Sequence, residues 1–195
     1  MIVIASGLPR SGTSLLMQML AVGGMPVLTD GQRSADSDNP RGYYEWERIK
    51  RLPQEPECIV EAEGKVVKVI SQLLLALPNN RDYRIIFIQR PLAEVVASQT
   101  EMIRGRGTTG TTLGEAALIA ALQAHLNQVS ARLDRLSGAK VYRIDYHEVL
   151  RQPREAAEAI QRFLGLALDT EAMAQQVDLS LYRQRSEGRS AGLAS

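Results

Sequence analysis

Short apolar runs alternate along this chain with segments whose apolar residues recur every three or four positions. Residues 2 to 6 form a branched and small apolar run that stops at Gly7, and "TSLLMQMLAV" then spaces Leu15, Leu16, Met19 and Leu20 along one helix face. The pattern is strand, glycine loop, helix. Residues 24 to 43 are rich in Gly, Pro, Asp, Asn and Ser and predict a long loop, the kind of segment that carries function in a compact domain. A short helix is expected over about 44 to 52, then a strand in "KVVKVIS" and a helical "QLLLALP". "YRIIFIQR", 83 to 90, is continuously apolar between polar ends, which is the signature of a central strand buried on both faces of a parallel sheet. Pro91 opens the next helix, "LAEVVASQTEMIR", where a first turn tolerates proline. Residues 105 to 112, "GRGTTGTT", have no period and predict a flexible loop. A long helix over about 113 to 137, the strand "KVYRID" and the helix "PREAAEAIQRFLGL" complete the pattern, and the small, polar tail from about 183 is expected to be mobile. Strand and helix alternate throughout, which predicts an α/β fold with a parallel central sheet and helices on both faces.

With 195 residues the chain can bury one full core, so a single domain over 1 to 195 is expected. The net charge of +1 gives no electrostatic case for nucleic acid or a membrane surface. Arginine outnumbers lysine by 19 to 4, and although arginine suits bidentate phosphate contacts, a compositional bias accounts for most of these residues. Cys58 is the single cysteine, no apolar run approaches a membrane span, and the N-terminus lacks a signal-peptide pattern, so a cytoplasmic setting is expected.

The chemistry begins at "GLPRSGTSLL", residues 7 to 16. Gly7 and Gly12 give the Gly-x4-Gly frame of a phosphate-binding P-loop and Ser14 its hydroxyl, but Thr13 stands where the lysine belongs. A glycine turn between strand and helix still aims backbone N–H groups and the positive helix end at one point, and this places the fold as a P-loop-type three-layer sandwich. The loop's only cation, Arg10, comes before the second glycine and can reach a phosphate or a group being transferred from it.

This loop resembles the 5′-phosphosulfate loop of sulfotransferases that use 3′-phosphoadenosine 5′-phosphosulfate, in which a Pro-Lys/Arg-Ser-Gly-Thr-Ser/Thr run replaces the P-loop lysine arrangement. "RPLAEVVAS" sets Arg90 and Ser98 eight residues apart and resembles the family's 3′-phosphate motif. "DNPRGYYEWERIKRL" is similar to the acceptor-side segment of bacterial and glycan-type members. "RIDYHEVLRQPREAAEAIQRFLGL" is similar to their Tyr-Glu-Asp-Leu, Pro and Phe-Leu-Gly segment, with His147 where Glu is usual, and "VDLSLYRQR" to a C-terminal Leu-Tyr-Arg element. The sequence departs from the cytosolic small-molecule enzymes in lacking their C-terminal Arg-Lys-Gly and Gly-rich segment.

The resemblance implies an enzyme of the EC 2.8.2 type that moves a sulfuryl group in line, with no metal, from that cofactor to a hydroxyl or amine of a small-molecule, glycan or peptide acceptor. It implies cofactor binding by Pro9, Arg10, Ser11, Gly12, Thr13, Ser14, Arg90 and Ser98, with Arg10 also acting on the transferred group. The acceptor needs a base. Asp30 follows the helix that begins at the loop, so a chain reversal over "GGMPVLTD" can return it to the loop's mouth; Glu45 in "GYYE" is the alternative. Each also has a structural reading, Asp30 as a turn residue and Glu45 as a first-turn carboxylate. Lys68 and Ser71 fall near the segment where cytosolic members carry a catalytic histidine. His125 and His147 read as structural, since neither lies in a segment leading to the loop. Tyr43, Tyr44 and Trp46 line an acceptor pocket or simply pack. Two other functions stay open: a P-loop nucleotide kinase or NTPase, with Asp145 as its Mg²⁺ ligand, or a catalytically inactive nucleotide-binding module.

Overall fold

The structure, a computed structural model, describes residues 1–32, 42–105 and 114–178. Five parallel strands form one sheet in the order β2-β3-β1-β4-β5: β1 Ile2–Gly7, β2 Val27–Leu28, β3 Val66–Ile70, β4 Tyr83–Gln89 and β5 Ala139–Asp145. The chain leaves β1 toward one side, then crosses back to build the other, so the strand order reverses at β1 and opens a crevice beyond the carboxyl ends of the strands. Register brings those ends level: Gly7 is paired with Ile70 of β3 and with Ile88 of β4. The glycine loop therefore springs from the middle of the sheet. β1, rather than β4, is the central strand, and Ile2, Val3, Ile4 and Ala5 are fully buried.

Alternate residues of each strand point to opposite faces, and two cores follow. Val3, Ala5, Ile86 and Ile88 pack with Leu16, Met17 and Leu20 of α1 Thr13–Val22 and with Ala157 and Ile160 of α5 Pro153–Leu164. Ile2, Ile4, Val67, Val69, Ile85 and Phe87 pack on the other face with Val129 and Leu133 of α3 Glu115–Leu133 and with three 3-10 helices, Glu47–Arg51, Pro56–Ala62 and Ser71–Ala76. The remaining helices are α2 Leu92–Gly105, α4 Tyr146–Arg151 and α6 Thr170–Gln175.

The expected α/β architecture is present. The differences lie at edges and in short elements. The long loop after α1 contributes the two-residue edge strand β2. The helix expected near 44 to 52 is a 3-10 turn, Pro56–Ala62 is a second one, and α3 ends at Leu133. The glycine- and threonine-rich stretch 106–112 and the tail containing "LSLYRQR" lie outside the described residues, as does "DNPR" at 38–41. Among the described residues, no helix is long and apolar enough to cross a membrane.

Candidate active site

The glycine loop is a narrow cradle built by two glycines that nothing larger could replace. A Cβ on Gly7 would lie 2.6 Å from the carbonyl oxygen of Ile88, and one on Gly12 would lie 2.5 Å from the ring of Tyr146. Gly12 caps α1 in the left-handed region, φ 106, and no side chain caps the helix, so the first-turn N–H groups of α1 face the loop without a side-chain acceptor. Arg10 is also left-handed, φ 74, a conformation that costs an L-residue about 1–2 kcal/mol. Such a turn collects backbone N–H groups on one side and makes an anion-binding concavity. Two bonds to the Leu8 carbonyl close it, from the Ser11 amide at 3.1 Å and the Ser11 hydroxyl at 2.7 Å.

The structure brings the loop and the Arg90–Ser98 motif together. Arg10 Nε donates to Ser98 Oγ at 3.0 Å, across 88 residues, and Gln99 Nε2 donates to the Pro9 carbonyl at 3.1 Å. Arg90 Nη1 donates to the Arg10 carbonyl at 3.3 Å, while its Nε donates to Glu94 Oε2 at 2.8 Å. Its guanidinium carbon lies 4.9 Å from the centre of the Tyr146 ring. Thus two arginines and a buried serine hydroxyl, from the loop, the residue after β4 and α2, occupy one end of the crevice. A cavity of about 440 Å³ opens beside them, lined by Leu8, Ser11, Gln89, Arg90, Leu126 and Arg143 among others.

The cation missing at position 13 arrives from a different strand. Lys68 projects from β3, 7% exposed, with Nζ 3.2 Å from Ser14 Oγ, donating to the Tyr43 carbonyl at 2.9 Å. The signal was a lysine inside "VVKVI": a charge in a strand buried along its length needs a partner, and Lys68 finds partners at the mouth of the loop. Glu45 is one of them, with Oε1 3.6 Å from Nζ.

Asp30 and Glu45 are thereby placed differently. Asp30 is fully exposed and accepts from the amides of Glu47 at 2.6 Å and Gln32 at 3.1 Å; these bonds, that of Glu47 foremost, hold its carboxyl below the usual carboxylate range. It acts as a cap on the 3-10 helix Glu47–Arg51. The chain reversal does carry the segment back, since the Asp30 amide donates to the Glu45 carbonyl at 3.3 Å, but it is the Glu45 carboxylate that stands beside Lys68 and the loop. Tyr43 and Trp46 are buried, and Trp46 belongs to the core on the α3 face.

Both histidines pair with residues at the crevice edge. His125 of α3 lies 2.9 Å from the hydroxyl of Ser71, immediately after β3, and burial lowers its pKa. His147 of α4 sits 3.1 Å from Glu94, the residue that holds Arg90. It is closer to the site than its sequence position indicated, because β5 delivers α4 next to the loop. Asp145 caps α4 by accepting from the Glu148 amide at 3.0 Å.

Strand order, glycine cradle and converging cations define an α/β protein with a P-loop-like anion cradle that lacks the loop's own lysine. Residues 42–170 match the sulfotransferase family, and the chain belongs to it. The matched stretch contains Lys68, Arg90 and Ser98, whereas the glycine loop precedes it. Three solved structures share the fold. The sulfotransferase domain from the curacin biosynthetic pathway is 16% identical with a TM-score of 0.55, the match covering 91% of this chain and 77% of that one. Mouse sulfotransferase SULT7A1, crystallised with PAP, is 18% identical with a TM-score of 0.56 over 95% of this chain and 66% of that one. Retinol dehydratase, crystallised with androsterone and the inactive cofactor PAP, is 14% identical with a TM-score of 0.51 over 91% and 63%. The chain thus spans just under two thirds of the length of the last two. No curated protein matches it.

Proposed function

We propose that this chain is a single sulfotransferase domain that takes its sulfuryl group from 3′-phosphoadenosine 5′-phosphosulfate and passes it to a hydroxyl or amine of a small-molecule, glycan or peptide acceptor. The observation that carries this reading is the Arg10–Ser98 hydrogen bond, which ties the glycine loop to the helix that follows Arg90, so that two anion-suited groups of residues share one crevice. A nucleotide with anionic groups at both its 5′ and 3′ ends matches such a pair, whereas ATP would engage only the first.

The residues suit that donor. When bound, it supplies a sulfuryl group to be displaced in line from its 5′-phosphate. The N–H groups of residues 12–14, with the hydroxyls of Thr13 and Ser14, would hold the 5′-phosphate, the Ser11 amide being held by the Leu8 carbonyl, and Arg10 and Lys68 would offset the negative charge that grows on the leaving and transferred oxygens. Charge stabilisation of this kind, fixed in place before reaction, is the largest catalytic contribution in related group transfers. Arg90 and Ser98 would hold the 3′-phosphate. Glu45 takes the acceptor's proton, because its carboxylate lies at the mouth of the loop beside Lys68, while the Asp30 carboxylate is held by two backbone amides away from it. Cys58, a buried free thiol, is in keeping with a cytoplasmic setting.

The test is calorimetry without Mg²⁺. Adenosine 3′,5′-bisphosphate should bind much more tightly than AMP or ADP, and a labelled-sulfate donor should pass its label to members of a panel of hydroxyl and amine acceptors. Equal affinities, or binding that requires Mg²⁺, would sink the reading and restore the nucleotide kinase.

A further inference from the structure

Beside this site lies a buried carboxylate that neither binding nor transfer uses. Glu94 sits in the first turn of α2, one turn before Ser98, with its side chain 2% exposed. Its Oε2 accepts from Arg90 Nε at 2.8 Å and lies 3.1 Å from His147 Nε2. An ionised carboxylate can only accept, so the His147 tautomer with its proton on Nε2 is the one that suits this contact, and groups from the residue after β4 and from α4 meet on one oxygen. By charge alone Glu94 is a handicap: it repels a phosphate and offsets the cation meant to bind one.

What it adds is orientation. A guanidinium presents five N–H donors in a flat fork, and a fork binds a phosphate well only when its plane is set. Three contacts in different directions set the plane of Arg90. Glu94 fixes the Nε edge, Nη1 donates to the Arg10 carbonyl at 3.3 Å, and the guanidinium carbon lies over the Tyr146 ring, 4.9 Å from its centre. That same ring closes against Gly12, so the plane of Arg90 is set relative to the loop that holds the other end of the nucleotide.

We propose that Glu94, steadied by His147, is a positioning residue that aims the Arg90 fork at the nucleotide's 3′-phosphate, and that the preference for a 3′-phosphorylated nucleotide depends on this carboxylate in spite of its like charge. The inference rests on the assignment of Arg90 to the 3′-phosphate. Charge and orientation predict opposite signs. Glu94→Gln keeps the shape and removes the charge, so it tightens binding of adenosine 3′,5′-bisphosphate if electrostatic repulsion dominates and weakens it if orientation does.

Calorimetry of adenosine 3′,5′-bisphosphate and of adenosine 5′-monophosphate on the wild type, Glu94→Gln, Arg90→Ala and the double variant separates the cases. The preference for the bisphosphate should fall about tenfold in Glu94→Gln, the loss of one charge-assisted bond, while 5′-monophosphate binding stays within about twofold. In the Arg90→Ala background the effect of Glu94→Gln on the preference should vanish. A preference that is unchanged or increased in Glu94→Gln, or that falls equally with Arg90 absent, overturns the proposal. If Glu94→Gln does not fold, Glu94→Asp keeps the charge and withdraws the carboxylate by one methylene; a full preference in that variant overturns it equally. A wild type without any preference for the bisphosphate removes the assignment of Arg90 itself, and the inference with it.

Discussion

Replacing Lys68 by methionine tests whether β3 supplies the cation that the glycine loop lacks. Methionine approximates the length of lysine, so the strand stays filled while the charge goes. Two unit charges about 4 Å apart interact by about 4 kcal/mol at an effective dielectric constant of about 20. The Lys68 ammonium does not deliver all of that to a bound 5′-phosphate, because Glu45 stands 3.6 Å away and already draws on its charge. The net loss should resemble that of one hydrogen bond to a charged group, about 1.5–3 kcal/mol, which is about 10- to 100-fold in Kd. The assay is calorimetry with adenosine 3′,5′-bisphosphate against adenosine 3′-monophosphate, which has no 5′-phosphate. Lys68→Met should weaken the first by that factor and leave the second within about twofold. Lys68 also donates to the Tyr43 carbonyl, so the melting temperature will fall somewhat, and both titrations must be run well below it. Equal weakening of the two ligands would mean that the variant disturbs the site as a whole, and no weakening of either would mean that Lys68 does not face the phosphate.

Glu45→Gln should lower turnover by about 10²- to 10⁴-fold with bisphosphate binding retained, whereas Asp30→Asn should keep near-full turnover; the reverse result in a label-transfer assay would return the base to Asp30. The Asp30 carboxyl is held below its usual value of 3.8 by the Glu47 and Gln32 amides, so its contribution to stability is present above that pH and fades as the pH falls through the lower folded value. Melting curves of Asp30→Asn should show less acid sensitivity in that window. Burial depresses the pKa of His125 below 6.5, so the fold favours its neutral form, and the corresponding stability is present above that value and lost as the pH falls through the folded pKa. His125→Gln should flatten that part of the stability profile, and proton NMR of the imidazole should show the depressed titration. Gly12→Ala should abolish bisphosphate binding and reduce thermal stability, since its Cβ would lie 2.5 Å from the Tyr146 ring at a backbone φ of 106.

The parallel α/β fold, the glycine loop and the placing of Arg90 at a strand end with Ser98 on the following helix were legible in the sequence because each is a local pattern. A strand buried on both faces must be continuously apolar, a loop that approaches an anion must be glycine-framed, and an arginine at a strand end followed by a serine two turns into a helix is fixed by helix geometry. The elements missed were those with little local preference. The two-residue β2 exists because β3 offers it an edge, and the 3-10 turn Pro56–Ala62 is held by the core it covers. The placement of the candidate carboxylates was decided only by tertiary structure. Asp30 and Glu45 lie in adjoining strips of chain whose backbones meet, and which carboxylate turns toward the loop depends on Lys68, contributed by another strand. The same holds for His147 and Glu94, 53 residues apart and 3.1 Å from each other. A charge inside a buried strand tells from sequence alone that a partner must exist; which partner it is depends on register and strand order, and those are properties of the assembled sheet.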